Sequence, residues 1–347
     1  IEINNQVITD YAFINAAALT SDQDAIYLNY GLANDYKDKD VKGKVIVVKA
    51  GSAETNDTRA AFGLRGTKQK LAKDNGVAAI IELLNTDDNM WSFIDHNFNE
   101  PSLAVDLDDD ESKDGETAYL WVLDQEGKMA DQFSSATTIS SKIVVGEKQE
   151  EAVLSQNVIG VVEGTDPSLK DEYIIYSAHY DHVGIGAPDE TGDTIYNGAR
   201  DNAVGTTTVL SIAKNLAKYP TKRSALFILF TGEEKGLLGS SYYVENPVLP
   251  LNQMVYCFNS DNAGYNDTSL ISVIGLTRTT AENNIFSAAE TFGLKAIEDP
   301  AEEQGLFDRS DNVNFAKKGI PAPTFSLGFT AFDGDVTKYY HRPGDEA

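Results

Sequence analysis

The chain has a single cysteine, Cys257, so it can form no internal disulfide and no zinc site built on several thiolates. Cys257 lies in an apolar run and reads as a buried structural thiol rather than a nucleophile. Basic residues are scarce, 28 Lys and Arg against 54 Asp and Glu, for a net charge of −26. Phosphate recognition needs clustered cations, so this balance argues against nucleic acid or anionic lipid as a partner. Such acidity fits the highly solvated surface of a secreted or salt-tolerant protein. No run of roughly eighteen apolar residues occurs, so no transmembrane helix is encoded. There is no Met and no signal peptide at Ile1, and the chain opens in mid-pattern, as a processed or trimmed form would. A secreted, periplasmic or cell-surface location is the expectation.

At 347 residues, with 41% hydrophobic and 24% charged residues, the chain is an ordinary globular sequence long enough for two domains. Residues 1 to about 28 alternate short apolar runs with turns and suggest strands. Val45–Val48 is a strong strand. Gly63–Asn75 reads as a loop and then a helix, and Gly76–Ile81 as the next strand. His96 falls among Asp95, Asn97 and Asn99, which suggests a surface loop. The acidic run Asp106–Glu111 lacks the alternating ligands of a calcium loop and reads as a solvated turn. Ala118–Leu123 and Ile143–Val145 are further strands. A charged joint at Glu147–Glu151 divides the chain into domains 1–148 and 149–347.

Beyond the joint, long strands alternate with amphipathic helices, which implies a mostly parallel sheet covered by helices. Asn157–Val162, Tyr173–Ser177, Leu226–Phe230 and Met254–Phe258 read as its strands. Thr206–Tyr219 reads as a helix with Val209, Leu210, Ala213, Leu216 and Ala217 on one face. The stretch Ser224–Ser240, SALFILFTGEEKGLLGS, organises this half. Its apolar run has the uniform character of a strand buried on both faces, and it stops at Thr231-Gly232. Glu233 and Glu234 follow, where a parallel sheet binds its ligands. Two adjacent glutamates need a cation or solvent to be stable.

Other strands end in polar clusters as well. They supply two histidines and three carboxylates (His179, Asp201, Glu234, Asp261 and His341), with Glu233 to spare. A mixed imidazole and carboxylate shell is what two nearby zinc ions use, one carboxylate bridging them. Any one of these residues alone reads as a helix cap or a structural histidine. Together, at successive strand ends, they do not.

The motifs SAHYDHVG, NGARDNAVG, LFTGEEKGLLGS, NSDNAGY and YYHRPGDE, in that order over about residues 155–347, resemble those of the M28 family of co-catalytic zinc aminopeptidases. The resemblance implies a mixed, mostly parallel α/β sheet flanked by helices, the phosphorylase/hydrolase-like fold of zinc exopeptidases. It implies two Zn2+ per chain, with His179 and Glu234 on different metals, Asp261 and His341 completing the shells and Asp201 bridging. Asp181 would steady the ring of His179. Glu233 would be the general base, delivering a metal-bridging hydroxide to the scissile carbonyl of a peptide substrate. Tyr340 would offer a hydroxyl to the oxyanion, or simply pack. The stretch from Asp308 to Pro321 resembles the family's substrate-side loop, with Arg309 as a substrate contact. LNYGL, DVKGKVIVV and NGVAAIIELLN resemble the smaller, β-rich protease-associated (PA) domain that some members carry inserted, which would act as a substrate-selecting wall.

Two positions depart from the family pattern. Asn312 stands where relatives often have His. Arg200 stands where many have a second acidic residue, and it would pair with Asp201 or with substrate. Flanking helical elements usual in relatives are not seen before Ile1 or after Ala347. Carboxypeptidases, dipeptidases and glutaminyl cyclases share the frame, and a non-catalytic receptor-like relative would lack a ligand or Glu233, neither of which is missing. Asn56-Asp57-Thr58 and Asn266-Asp267-Thr268 fit the glycosylation pattern, which is short and frequent.

Overall fold

In a computed structural model, residues 1–99, 102–105, 117–147, 149–262 and 267–347 are described. The acidic run Asp106–Glu111, Lys148 of the charged joint and Asn266 lie outside them. The chain divides into two compact units, Ile1–Ala152 and Val153–Ala347. Among the described residues no helix is long and apolar enough to cross a membrane.

The first unit is built on an eight-stranded sheet. Its central strands Leu19–Tyr27, Val45–Lys49, Ala79–Leu84 and Ala118–Leu123 run parallel. The Val45–Val48 run explains itself by alternation: Val45 and Val47 enter one core, Ile46 and Val48 the other, so the strand is apolar on both faces. The helices Thr58–Asp74 and Asp88–Asn99 cover one face with Ala61, Ala72, Trp91 and Ile94. Two expectations change here. The first helix starts at Thr58, capped by the Asp57 carboxylate on the Ala60 amide at 2.8 Å, well before Gly63. His96 belongs to the second helix, where aspartates and asparagines had suggested a loop.

Within this core lies one buried ionic cluster. Lys68 donates to Glu82 and to the Lys49 carbonyl at 2.8 Å, while Tyr119 and, at 2.7 Å, Trp121 donate to the other oxygen of Glu82. Burial lowers the Lys68 pKa against the pull of Glu82.

The second unit carries a seven-stranded sheet in the order Lys295–Ile297, Leu270–Ile274, Thr324–Leu327, Met254–Ser260, Tyr173–His179, Ser224–Phe230 and Val158–Val162. Tyr173–His179 runs parallel to both its neighbours, so His179, Thr231 and Asp261 come out at one edge. An aromatic row ties these strands across one face: Phe227, Tyr176 and Phe258 stack at 5.5 and 5.4 Å, and Phe325 follows at 5.2 Å. Helices Leu238–Glu245 and Asn312–Lys317 pack on one side through Tyr243, Val244 and Phe315, and Val204–Lys218 on the other. In that last helix Val209 and Leu216 are buried, but Leu210 is 55% exposed and Ala217 faces solvent. At 3.6 residues per turn, 209, 212, 213 and 216 share the inner stripe, and 210 and 217 fall about 100° away. Cys257 is fully buried, and burial pushes its thiol up to about 12, as suits a structural role.

Both tryptophans, Trp91 and Trp121, lie in the first unit, so their fluorescence follows that unit's unfolding. Lys68→Met leaves the Glu82 charge buried without its cation and is expected to destabilise the unit by about 3–5 kcal/mol in urea titrations. A loss under about 1 kcal/mol, the range of an exposed ion pair, contradicts this account of the cluster.

Candidate metal centre

The site forms because three parallel strands deliver their last residues to one edge. His179 ends its strand in register with Phe230. After Phe230, Gly232 takes φ +65°, a left-handed conformation natural to glycine, and turns the chain so that Glu233 and Glu234 face the edge. Gly239 lets the next helix close on this turn, since a Cβ there would meet the Thr231 carbonyl at 2.3 Å. Asp261 follows the strand Met254–Ser260. Asp201 comes from the bend ahead of the helix Val204–Lys218. His341 arrives from the chain's last segment at φ +51°, unusual outside glycine.

The five expected ligands converge. His179 Nε2 lies 3.2 Å from Asp201 Oδ1 and 3.5 Å from Asp261 Oδ1. His341 Nε2 lies 3.2 Å from Asp201 Oδ2 and 3.0 Å from Glu234 Oε2. Asp201 thus turns one oxygen to each group. Donor atoms of His179, Glu233 and Asp261 lie within 4.8 Å of one another, and so do those of His182, Asp201 and Glu234.

These residues fit a metal. His179 Nε2, His182 Nδ1, Glu234 Oε1 and His341 Nε2 are buried and make no hydrogen bond, although carboxylate and imidazole are in contact. Buried polar atoms without hydrogen bonds are costly unless a cation completes them. Nitrogen and carboxylate oxygen together are the donor set of zinc.

The electrostatics carry the same strain. Burial and then the charge of Asp261 push Glu233 up to about 10. Burial would raise Glu234 as well, but His182 and His341 outweigh it and hold Glu234 at about 2. Burial would lower His341, yet Asp201 and Glu234 keep it up at about 9. His179 is likewise raised, Asp201 and Asp261 overcoming its burial. Asp201 stays low: burial works to raise it, and the two histidines prevail.

Several roles differ from expectation. The Asp181 carboxylate is 3.8 Å from the ring of His179 and accepts instead from the amides of Glu233 (3.2 Å) and Glu234 (3.3 Å). It is the Asp181 backbone carbonyl that faces His179 Nδ1, at 3.1 Å. A carboxylate has room for two amides, and the ring is already served by the nearer carbonyl. Among the described residues Arg200 shows no ion pair with Asp201, and its guanidinium lies 4.1 Å over the ring of Tyr339. Asn312 is fully buried and donates to the carbonyls of Phe307 and Ala322, both at 3.1 Å, so it secures the loop. Tyr340 stacks on His341 at 4.0 Å, and its hydroxyl accepts from Arg309 Nη2 at 3.3 Å. Burial, then Asp201, raises the Tyr340 pKa, so it keeps its proton. Both Tyr340 and Arg309 line the cleft over Asp201, Glu233 and Asp261.

Sequence reasoning passed over three acidic or imidazole groups. His182, whose Nδ1 is 2.7 Å from Glu234 Oε1, stands three residues after His179 in the same motif. Asp311 is fully buried with burial pushing it up to about 7, close enough to feel His179 and Asp261. Asp345 sits four residues past His341 and accepts from the amides of Arg200 and Asp201.

Comparison with known proteins places the chain in a family. The model of Peptidase family M28 matches residues 157–347, more than half of the chain. Aminopeptidase YwaD of Bacillus subtilis is 32% identical over 197 residues, 55% of this chain and 39% of that protein. A probable leucine aminopeptidase 2 of Aspergillus oryzae is 27% identical over 307 residues, 86% of this chain and 54% of that protein. The chain therefore spans between about two fifths and just over half of these relatives' lengths. Among solved structures, an aminopeptidase from Aneurinibacillus sp. strain AM-1 superposes with a TM-score of 0.59 at 22% identity, covering 95% of this chain and 70% of that one. A zinc aminopeptidase of Bacillus subtilis gives 0.50 at 24%, covering 96% and 71%. At these identities the structures speak for the fold.

Metal ligation requires neutral imidazole, whereas His179 and His341, and Glu233 beside them, hold protons at neutral pH in the metal-free chain. Zinc uptake at pH 7 is expected to release protons, and apparent affinity to rise with pH up to about 9, where His341 loses its own proton. Titration with zinc in weak buffer with an indicator dye reads this directly. An affinity flat between pH 6 and 9, with no protons released, contradicts the assignment.

Proposed function

Because this chain belongs to peptidase family M28, we propose that its second unit is a di-zinc aminopeptidase that removes N-terminal residues from peptides. The observation that carries the reading is Asp201, whose two oxygens face His179 and His341 at 3.2 Å each, with Glu233 left over beside them. His179, Asp201 and Asp261 would hold one ion, and Asp201, Glu234 and His341 the other. Bound zinc supplies positive charge that favours ionised carboxylates and Lewis acidity toward water and the peptide carbonyl.

The chain's own groups do the rest. Glu233 is the general base: its backbone is fixed by Asp181, and its carboxylate lines the cleft free of the pairings that occupy Glu234. It takes a proton from the attacking water and returns it to the leaving amine. The Tyr340 hydroxyl, already accepting from Arg309, has its own hydrogen to give to the oxyanion that develops on the carbonyl. The relatives named as aminopeptidases support cleavage from the amino end. Ile274, Leu306, Phe329 and Phe332 give the cleft apolar walls, suited to an apolar first side chain. Arg309 also lines it and is the feature that favours the second reading, release from the carboxyl end.

A panel of free and N-acetylated peptides separates the two. Free-amine peptides are expected to lose their first residue in a zinc-dependent way, and acetylated ones to resist. Glu233→Gln is expected to lower kcat about 10²–10⁴-fold while keeping its zinc. Release of residues from the carboxyl end of acetylated peptides, or a Glu233→Gln variant near wild-type rate, overturns the proposal.

A further inference from the structure

We infer that Asp345 is a positioning residue that fixes the bend bearing Asp201 and links it to the segment bearing His341; this rests on the reading of Asp201 as the shared ligand. Asp345 is 1% exposed. Its Oδ1 accepts from the Arg200 amide at 3.0 Å, and its Oδ2 from the Arg200 amide at 3.1 Å and the Asp201 amide at 3.2 Å. Its backbone carbonyl accepts from the Ala199 amide at 3.0 Å. Three consecutive amides of the bend, 199 to 201, therefore end on one residue.

A carboxylate is costly to bury. Charge-assisted bonds from backbone amides are what offset that cost. The effect is specific to geometry, because the bend is gripped from two sides. On the side of Asp261, Asn202 donates to the Ser260 carbonyl at 2.8 Å and accepts from the Gly205 amide at 3.0 Å. On the side of His341, the grip is Asp345, assisted by Arg200 lying over Tyr339. The Asp345 amide in turn donates to the Arg342 carbonyl at 3.1 Å, closing a turn that begins one residue after His341. Asp201 is suspended between these anchors, which sets how its two oxygens divide between His179 and His341. Without the Asp345 carboxylate, the amides of Arg200 and Asp201 lose their acceptor, and Asp201 is freer to turn away from His341.

The test uses the full chain and Asp345→Asn, close to isosteric but with one acceptor replaced by a donor. Glu346→Gln, an exposed neighbour, serves as control. Three readouts are needed: zinc affinity by competition with a chromophoric chelator, hydrogen exchange of the Arg200 and Asp201 amides in the zinc-free chain, and steady-state kinetics on a free-amine peptide. Asp345→Asn is expected to weaken zinc binding about 10–100-fold, to speed exchange of those two amides at least about tenfold, and to lower kcat with KM little changed. Glu346→Gln should match wild type in all three. Wild-type zinc affinity and unchanged exchange in Asp345→Asn overturn the positioning role while the centre stands. A general loss of thermal stability with zinc affinity unchanged also overturns it, in favour of simple packing. If the wild-type chain takes up no zinc, the reading of the centre fails, and amide exchange alone decides whether Asp345 grips the bend.

Discussion

Too much negative charge in too little space is the constraint on which the second unit depends. Asp201, Glu233, Glu234 and Asp261 meet at one sheet edge against the imidazoles of His179, His182 and His341. In the bare protein the imbalance is met by protons: the imidazoles of His179 and His341 hold theirs above the usual range, and Glu233 holds one that a free glutamate would have lost. Divalent cations would relieve the same repulsion with the ligands where they are. Crowding that would be a defect in an ordinary core thus becomes the condition for binding metal.

The rest of the unit keeps that crowd in place. The parallel strands fix where His179, the Glu233-Glu234 pair and Asp261 emerge. Carboxylates next to the ligands then hold main chain: Asp181 holds the amides of Glu233 and Glu234, and Asp345 those of Arg200 and Asp201. Each uses its charge on backbone donors, so it positions a ligand without competing for the metal.

Much of this was legible in the sequence because the relevant signals are local. The strands Val45–Lys49, Ala118–Leu123 and Ser224–Phe230 announce themselves as short, β-branched or aromatic runs closed by turn residues. Of the expected ligands, His179, Glu234 and Asp261, with Glu233, were legible because each ends or follows such a run. What stayed hidden depends on partners distant in the chain. Nothing local tells that Asp181 serves amides at 233 and 234 rather than a ring two residues away, or that Asp345 reaches back to Asp201. His182 and Asp311 have ordinary neighbours in sequence and unusual ones in space. Lys68 in the core of the first unit is hidden for the same reason, since its counterion Glu82 sits in the middle of a strand that is otherwise apolar. The surroundings of His96 suggest a loop because Asp95, Asn97 and Asn99 have low helix propensity, which the packing of Trp91 and Ile94 on the same helix overrides.

The central proposal is that one carboxylate, Asp201, is shared between two zinc ions. X-ray absorption at the zinc edge on the fully loaded chain tests it most directly. The account predicts a metal–metal scattering path at about 3.5–4 Å, the separation typical of two-metal sites, and its loss in Asp201→Asn. A loaded wild-type chain with isolated zinc and no such path would contradict it.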